Sequence, residues 1–147
     1  MFLGRFQHSI DDKGRLTVPA RFRDQLALEG GYVMQGFDRN LMVLTSAHFE
    51  VLSRQISAMS MTDPDARQLR RLLFSTSERV EIDRAGRILL PQFLRQLAGL
   101  DGMVLVVGLG DYFEIWAPES WEPQDAQLQD AQSNGQRFKA LDLSSGA

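Results

Sequence analysis

A chain of 147 residues with 44% hydrophobic residues, five prolines and no cysteine has the composition of one ordinary domain or two small ones, and it holds neither disulfides nor thiolate metal sites. No run approaches the ~18 consecutive apolar residues of a membrane helix, and Met1 to Gly14 contains no apolar core with a cleavage site, so a cytoplasmic protein is expected. The formal charge of −3 excludes a general polyanion glue, but Lys and Arg outnumber Asp and Glu 14 to 11 up to Gly99 and trail them 2 to 8 from Leu100 onward, which places any nucleic-acid contact in the first two thirds.

Residues 1–50 read as a first β-rich unit. Phe2, Phe6 and Ile10 alternate with Arg5, Gln7 and Ser9, the period of a half-buried strand. Asp11, Asp12, Lys13 and Gly14 are turn formers: the Asp side chain bonds its own backbone and Gly tolerates positive φ. Leu16 and Val18 continue as strand until Pro19, whose fixed φ suits the first position of a helix. Phe22 and Leu26 give that helix one apolar stripe before Gly30 releases the chain into two strands, Tyr32 to Met34 and Leu41 to Leu44.

Residues 51–76 read as a helical connector. Phe49, Leu52, Ile56 and Met59 recur at helical spacing, and Asp63 followed by Pro64 starts a second helix that turns Leu69, Leu72 and Leu73 inward. Arg67, Arg70 and Arg71 fall on its other face, either as a solvated surface or as auxiliary phosphate contacts.

Residues 77–122 repeat the first unit. An offset of 72 (83 minus 11) lays IDDKGRLTVPARFR, from Ile10, over IDRAGRILLPQFLR, from Ile82, without a gap. Ile10/Ile82, Asp11/Asp83, Gly14/Gly86, Arg15/Arg87, Pro19/Pro91 and Arg23/Arg95 are identical, and the same offset pairs Leu28/Leu100, Gly30/Gly102 and Gly36/Gly108 and runs on to Phe49/Trp121. Two unrelated amphipathic segments would share apolar positions, not a loop Asp, Gly and Arg, so the chain reads as a duplicated domain. The second copy's helix carries Leu94, Leu97 and Ala98, and its last strands run Val104 to Val107 and Phe113 to Trp116, making four strands and a helix per copy. Residues 123–147 turn polar and read as a frayed helix followed by a disordered tail.

Catalysis finds little support in these residues. No cysteine nucleophile or G-x-S-x-G elbow occurs, and His8 and His48 share no fixed acidic partner, so both read as structural. Gly108-Leu109-Gly110-Asp111 resembles a phosphate-cradling loop, but a strand follows instead of a helix, so it reads as a hairpin turn. Asp11 and Asp12 suit a hard cation, yet the second copy puts Arg84 where a ligand should stand; no metal or other cofactor is expected. The pattern Asp-x-x-x-Arg on a glycine turn suits nucleic acid better. A carboxylate pairing across the loop would hold the guanidinium in one rotamer, and that planar fork matches guanine O6 and N7. The alternative is a surface ion pair that only tidies the turn.

The segments Asp11 to Arg23 and Asp83 to Pro91 resemble the paired motifs of the MraZ family, within the AbrB/SpoVT-like superfamily, and the similarity covers about Met1 to Trp121. The resemblance implies mainly β structure with helices, two tandem repeats interlocked as a swapped-hairpin, double-split β-barrel. It implies a ring-shaped homo-oligomer at the nucleoid, binding double-stranded DNA at short G-rich direct repeats in the promoter of the division and cell-wall gene cluster, usually as an autoregulatory repressor, with neither a small-molecule substrate nor a membrane as partner. The family's DNA-reading Asp and Arg map onto Asp11 and Arg15 and onto Asp83 and Arg87, with Lys13, Gly14, Arg84 and Gly86 in the same loops. Ala85 stands where the first loop has Lys13, so the two copies need not be equivalent. An antitoxin-like partner protein and a purely structural ring remain as rival classes.

Overall fold

The computed structural model describes residues 1–141 and 143. In chain order the elements are β1 (Arg5–Ser9), β2 (Arg15–Thr17), α1 (Ala20–Ala27), β3 (Gly31–Gln35), β4 (Leu41–Thr45), α2 (Ser46–Ser57), α3 (Pro64–Phe74), β5 (Glu78–Val80), β6 (Arg87–Leu89), α4 (Gln92–Ala98), β7 (Met103–Gly108), β8 (Tyr112–Trp116), α5 (Pro118–Leu128) and α6 (Ala131–Arg137). Each copy therefore contributes four strands and one short helix before its hairpin ends, as its alternating and helical periods predict.

The copies interleave. Six strands form one antiparallel sheet in the order β1-β7-β8-β4-β3-β5, and β2 and β6 form a separate two-stranded ribbon. Only the hairpins β3–β4 and β7–β8 pair within a copy; β1–β7, β4–β8, β3–β5 and β2–β6 all join one copy to the other. The architecture is thus mixed α and β with an antiparallel sheet, and the expected barrel is not closed: β1 and β5 stay at the two edges of the sheet. No described helix is long and apolar enough to cross a membrane.

Burial explains the layering. The inner face of the sheet, with Val33, Val43, Val104, Val106, Phe113 and Ile115, packs on the ribbon's Leu16 and Ile88 and on Phe22, Leu26 and Leu94 of the two short helices. Phe22 meets Phe2, Phe6 and Phe113 with ring centroids 5.1–5.3 Å apart, spacings at which aromatic pairs add to the area they bury. On the outer face Met34, Met42 and Leu44 are covered by Ile56 and Leu73 of the connector, and Val107 and Trp116 by Trp121 of α5. Thr45 and Asp63 cap α2 and α3 by accepting the backbone N–H of His48 and Asp65.

Several expectations need correction. Pro19 and Pro91 hold extended ψ values of 138° and 146°, so each is the cap residue before its helix and not the first helical position. Leu97 and Met59 are exposed, because α4 buries only Leu94 and Ala98, and Met59 lies beyond the end of α2. The polar end is more ordered than its composition suggests: Trp121 anchors α5, and α6 follows with the Asp130 side chain accepting from Ser133 N. The tail expected at 142 and 144–147 lies outside the described residues.

The gapless repeat also slips in three dimensions. Val43 and Ile115 are counterparts at the offset of 72, but Val43 pairs with Val33 whereas Ile115 pairs with Val106, giving the third strand an offset of 73 (106 minus 33). The cause is the helix exit. α1 runs to Ala27 with Leu28 still right-handed, while α4 ends one counterpart earlier at Ala98 with Gly99 at φ +64°, a left-handed stop that lengthens the loop into β7. The hairpins absorb the slip, five residues joining β3 to β4 and three joining β7 to β8. Gly36 and Gly108 match in sequence without occupying the same place in the fold.

Candidate nucleic-acid interface

In the first loop Asp11 takes up both ends of the turn. Its backbone N–H donates to Arg15 O at 2.9 Å, and its carbonyl accepts from Gly14 N at 3.0 Å. Its Oδ1 accepts from Lys13 N at 3.0 Å and Arg15 N at 2.9 Å, and its Oδ2 accepts from Arg15 Nε at 2.7 Å. The second loop repeats every bond: Asp83 Oδ1 accepts from Ala85 N and Arg87 N, both at 2.9 Å, and Oδ2 from Arg87 Nε at 3.0 Å. The backbone N–H of Arg15 is the largest cause holding the Asp11 carboxyl below the usual carboxylate range, with the Arg15 guanidinium and the Lys13 N–H adding to it; Arg87 and Ala85 do the same for Asp83. Both acids therefore stay ionised at neutral pH.

This geometry spends the inner Nε of each guanidinium on its own carboxylate, and among the described residues the Nη atoms of neither arginine make a hydrogen bond. The Arg15 and Arg87 side chains are 34% and 30% exposed, so neither tip is sealed in the body of the protein. Arg87 Nη1 also lies 3.6 Å from Asp11 Oδ2, which couples the two loops.

The ribbon brings both arginines onto one face. Arg15 stands opposite Leu89, Leu16 opposite Ile88 and Thr17 opposite Arg87. Directly opposed residues share a face, and faces alternate along a strand. Leu16 and Ile88 go into the core, which leaves Arg15, Thr17, Arg87 and Leu89 together on the outside. Val18 N donates to Gly86 O at 2.9 Å and Leu90 N to Gly14 O at 2.8 Å, so the ribbon runs on into both loops.

Gly14 and Gly86, at φ +84° and +78°, are buried and make the turns possible; Lys13 and Arg84 are exposed on the loop crests. Each glycine is covered by the other copy. A Cβ at Gly14 would lie 2.8 Å from Arg95 Cζ, and one at Gly86 would lie 2.5 Å from Arg23 Cζ. Those guanidiniums are themselves held, Arg23 Nε donating to Val18 O at 3.0 Å and Arg95 Nε to Leu90 O at 3.1 Å. Reading the residues gave Arg23 and Arg95 no role, although their identity in the repeat was the available signal. Thr17 and Leu89 were also missed, because which residues share the ribbon's outer face depends on its pairing register.

The remaining sequence candidates lie elsewhere. On α3, Arg67 donates to Met61 O and Arg70 to Ser57 O, bracing the turn between the connector helices, while Arg71 bonds Gln68. His8 is held toward its neutral form by burial and by Arg23, and His48 stacks on Tyr112. Leu109 to Asp111 form the β7–β8 turn, with Gly110 at positive φ.

Comparison with known proteins agrees with the duplication. The family model described as "MraZ protein", of antitoxin-like type, matches twice, over residues 1–72 and 73–143. A protein of Thermomicrobium roseum named "Transcriptional regulator MraZ" is 50% identical over 121 residues, covering 82% of this chain and 84% of its own length. Proteins of the same name from Roseiflexus castenholzii and Carboxydothermus hydrogenoformans are 49% and 42% identical, over 80% and 81% of this chain and 82% of their own length in each case.

Proposed function

The chain belongs to the MraZ family, and from that premise we propose that it is a transcriptional regulator that binds double-stranded DNA through the outer face of its β2–β6 ribbon. One observation carries the reading: two carboxylate-locked arginines stand diagonally across the outer face of one ribbon, in a chain whose net charge would otherwise disfavour DNA. A two-stranded ribbon fits the major groove, where a positioned guanidinium takes guanine O6 and N7 together. Asp11 and Asp83 are positioning residues; Arg15 and Arg87 read bases; Lys13 and Arg84 meet phosphates.

The family resemblance supplies the finer terms: short G-rich direct repeats in the promoter of the division and cell-wall gene cluster, an autoregulatory repressor working at the nucleoid, and a ring of identical subunits. Assembly accounts physically for a weakly charged reader. One face supplies few contacts, whereas linked copies on tandem boxes multiply affinity through effective concentration when each box presents the same side of the duplex.

Fluorescence anisotropy on one box, on three boxes a helical turn apart, and on three boxes with the middle one displaced by half a turn tests both parts at two salt concentrations. The phased probe should bind far more tightly than the other two; equal affinity for all three overturns the ring. Arg15→Ala should keep its assembly state and lose the preference for G-rich over scrambled DNA. Retained preference removes Arg15 from the interface.

A further inference from the structure

We propose that Leu89 is a specificity residue that reads the 5-methyl group of a thymine next to the base addressed by Arg15; the inference rests on the ribbon being the DNA face. Lone exposed leucines are ordinary on protein surfaces. The placement of Leu89 is what distinguishes it. It is 59% exposed on a ribbon whose outer face otherwise carries Arg15, Thr17 and Arg87, and it is the one side chain of that set without a polar atom. Its repeat counterpart, at the offset of 72, is Thr17, a β-branched residue of the kind exposed strand positions favour.

The register fixes what Leu89 can reach. It stands directly across the ribbon from Arg15, not from Arg87 on its own strand. Opposed side chains on a ribbon start from Cβ atoms about 5 Å apart, and successive bases of a strand lie about 3.4 Å apart along the axis. A leucine at that distance from a guanine-reading fork comes over a neighbouring base pair. Of the groups that distinguish the base pairs on the major-groove edge, the thymine methyl is the apolar one, the rest being donors or acceptors. Thr17 faces Arg87 in the same way but is half-buried and brings a hydroxyl beside its smaller methyl. The face is therefore two-fold in its arginines and one-sided in its apolar contact, so the site it reads has one end that demands thymine.

Deoxyuridine in place of thymine removes the methyl and nothing else. The full-length protein is titrated against a promoter fragment in which each thymine within two bases of a box guanine is replaced in turn, with a scrambled fragment as control. At one position in each box the replacement should weaken binding on the order of fourfold, the worth of about one buried methyl group. Leu89→Thr, which removes nothing from the core, should still prefer the promoter over the scrambled fragment and should bind thymine and uracil at that position equally. Absence of any uracil-sensitive position in the unmodified protein, or a sensitivity that survives in Leu89→Thr, overturns the role of Leu89 while the DNA-binding reading stands. Failure of the unmodified protein to separate promoter from scrambled DNA overturns both.

Discussion

The first copy enters its loop on the five-residue β1 and the second on the three-residue β5; α1 ends right-handed and α4 ends on a left-handed glycine; five residues turn the first hairpin and three the second. Against this drift, the two Asp–Arg loops share every hydrogen bond. The contrast shows where the constraint lies. A carboxylate satisfied by two backbone N–H groups and one guanidinium fixes its loop locally, so the loop holds its shape whatever strand length delivers it. The scaffold has only to keep its core filled, and it has done so twice with different residues, Phe22 in one helix and Leu94 in the other.

Substitutions at counterpart positions test how far this equivalence goes. The largest effect is expected at the helices. Phe22→Ala should cost about 3–5 kcal/mol and Leu94→Ala about 2–5 kcal/mol in chemical denaturation, with Phe22 the costlier because its ring touches Phe2, Phe6 and Phe113. The reverse order would mean that the second helix anchors the core. In the loops, Arg15→Ala and Arg87→Ala should each remove about 1–3 kcal/mol of discrimination between G-rich and scrambled duplexes. Because Asp11 Oδ2 faces both arginines, Asp11→Asn should weaken that discrimination more than Asp83→Asn does; equal losses would show two independent loops.

Smaller differences are expected at the turns. Gly14→Ala and Gly86→Ala should each destabilise by about 1–2 kcal/mol in thermal melts, since both need positive φ. Gly86 should be the worse, its new Cβ falling at 2.5 Å from Arg23 against 2.8 Å from Arg95 for Gly14. The smallest effects are protonic. Asp11 and Asp83 have depressed values, so their contribution is present at neutral pH and fades only as pH falls through a midpoint below the usual carboxylate range of about 4. Carboxyl NMR titration should find both midpoints there. Glu114 has the opposite sign. Burial pushes its carboxyl up, in a place where its counterpart and cross-strand partner is Met42. Its contribution is favourable at low pH and lost as pH rises, so Glu114→Gln should raise the melting temperature slightly at pH 8 and not at pH 4.

Much of this was legible in the residues, for identifiable reasons. Alternation at Phe2, Phe6 and Ile10, the turn residues at 11–14 and the Asp63-Pro64 start are local signals, and the structure has a strand, a turn and a helix there. The pairing of Asp11 with Arg15 was readable as well, because both partners lie within one turn. Partner choice was not. Nothing in the spelling of Arg15-Leu16-Thr17 says that it lies against Arg87-Ile88-Leu89, and only that pairing puts Leu89 beside Arg15. The same limit hid the reach of Arg23 and Arg95 across to the opposite loops. The slip at β3 escaped because Gly30/Gly102 and Gly36/Gly108 keep a sequence match where the chain exits its helices differently. At the polar end, composition outweighed the anchor that Trp121 provides.

Because most strand contacts in this molecule join one copy of the repeat to the other, neither half can complete its sheet alone. Such a polypeptide must hold its first half open until the second emerges from synthesis, and such long-range pairings form slowly. A neighbouring molecule can offer the missing half through the same strand registers, with the α2–α3 connector as the crossover and the bonds that brace its turn given up. Brief unfolding at high concentration should therefore yield exchanged pairs that carry intact reading faces, each built from two different polypeptides.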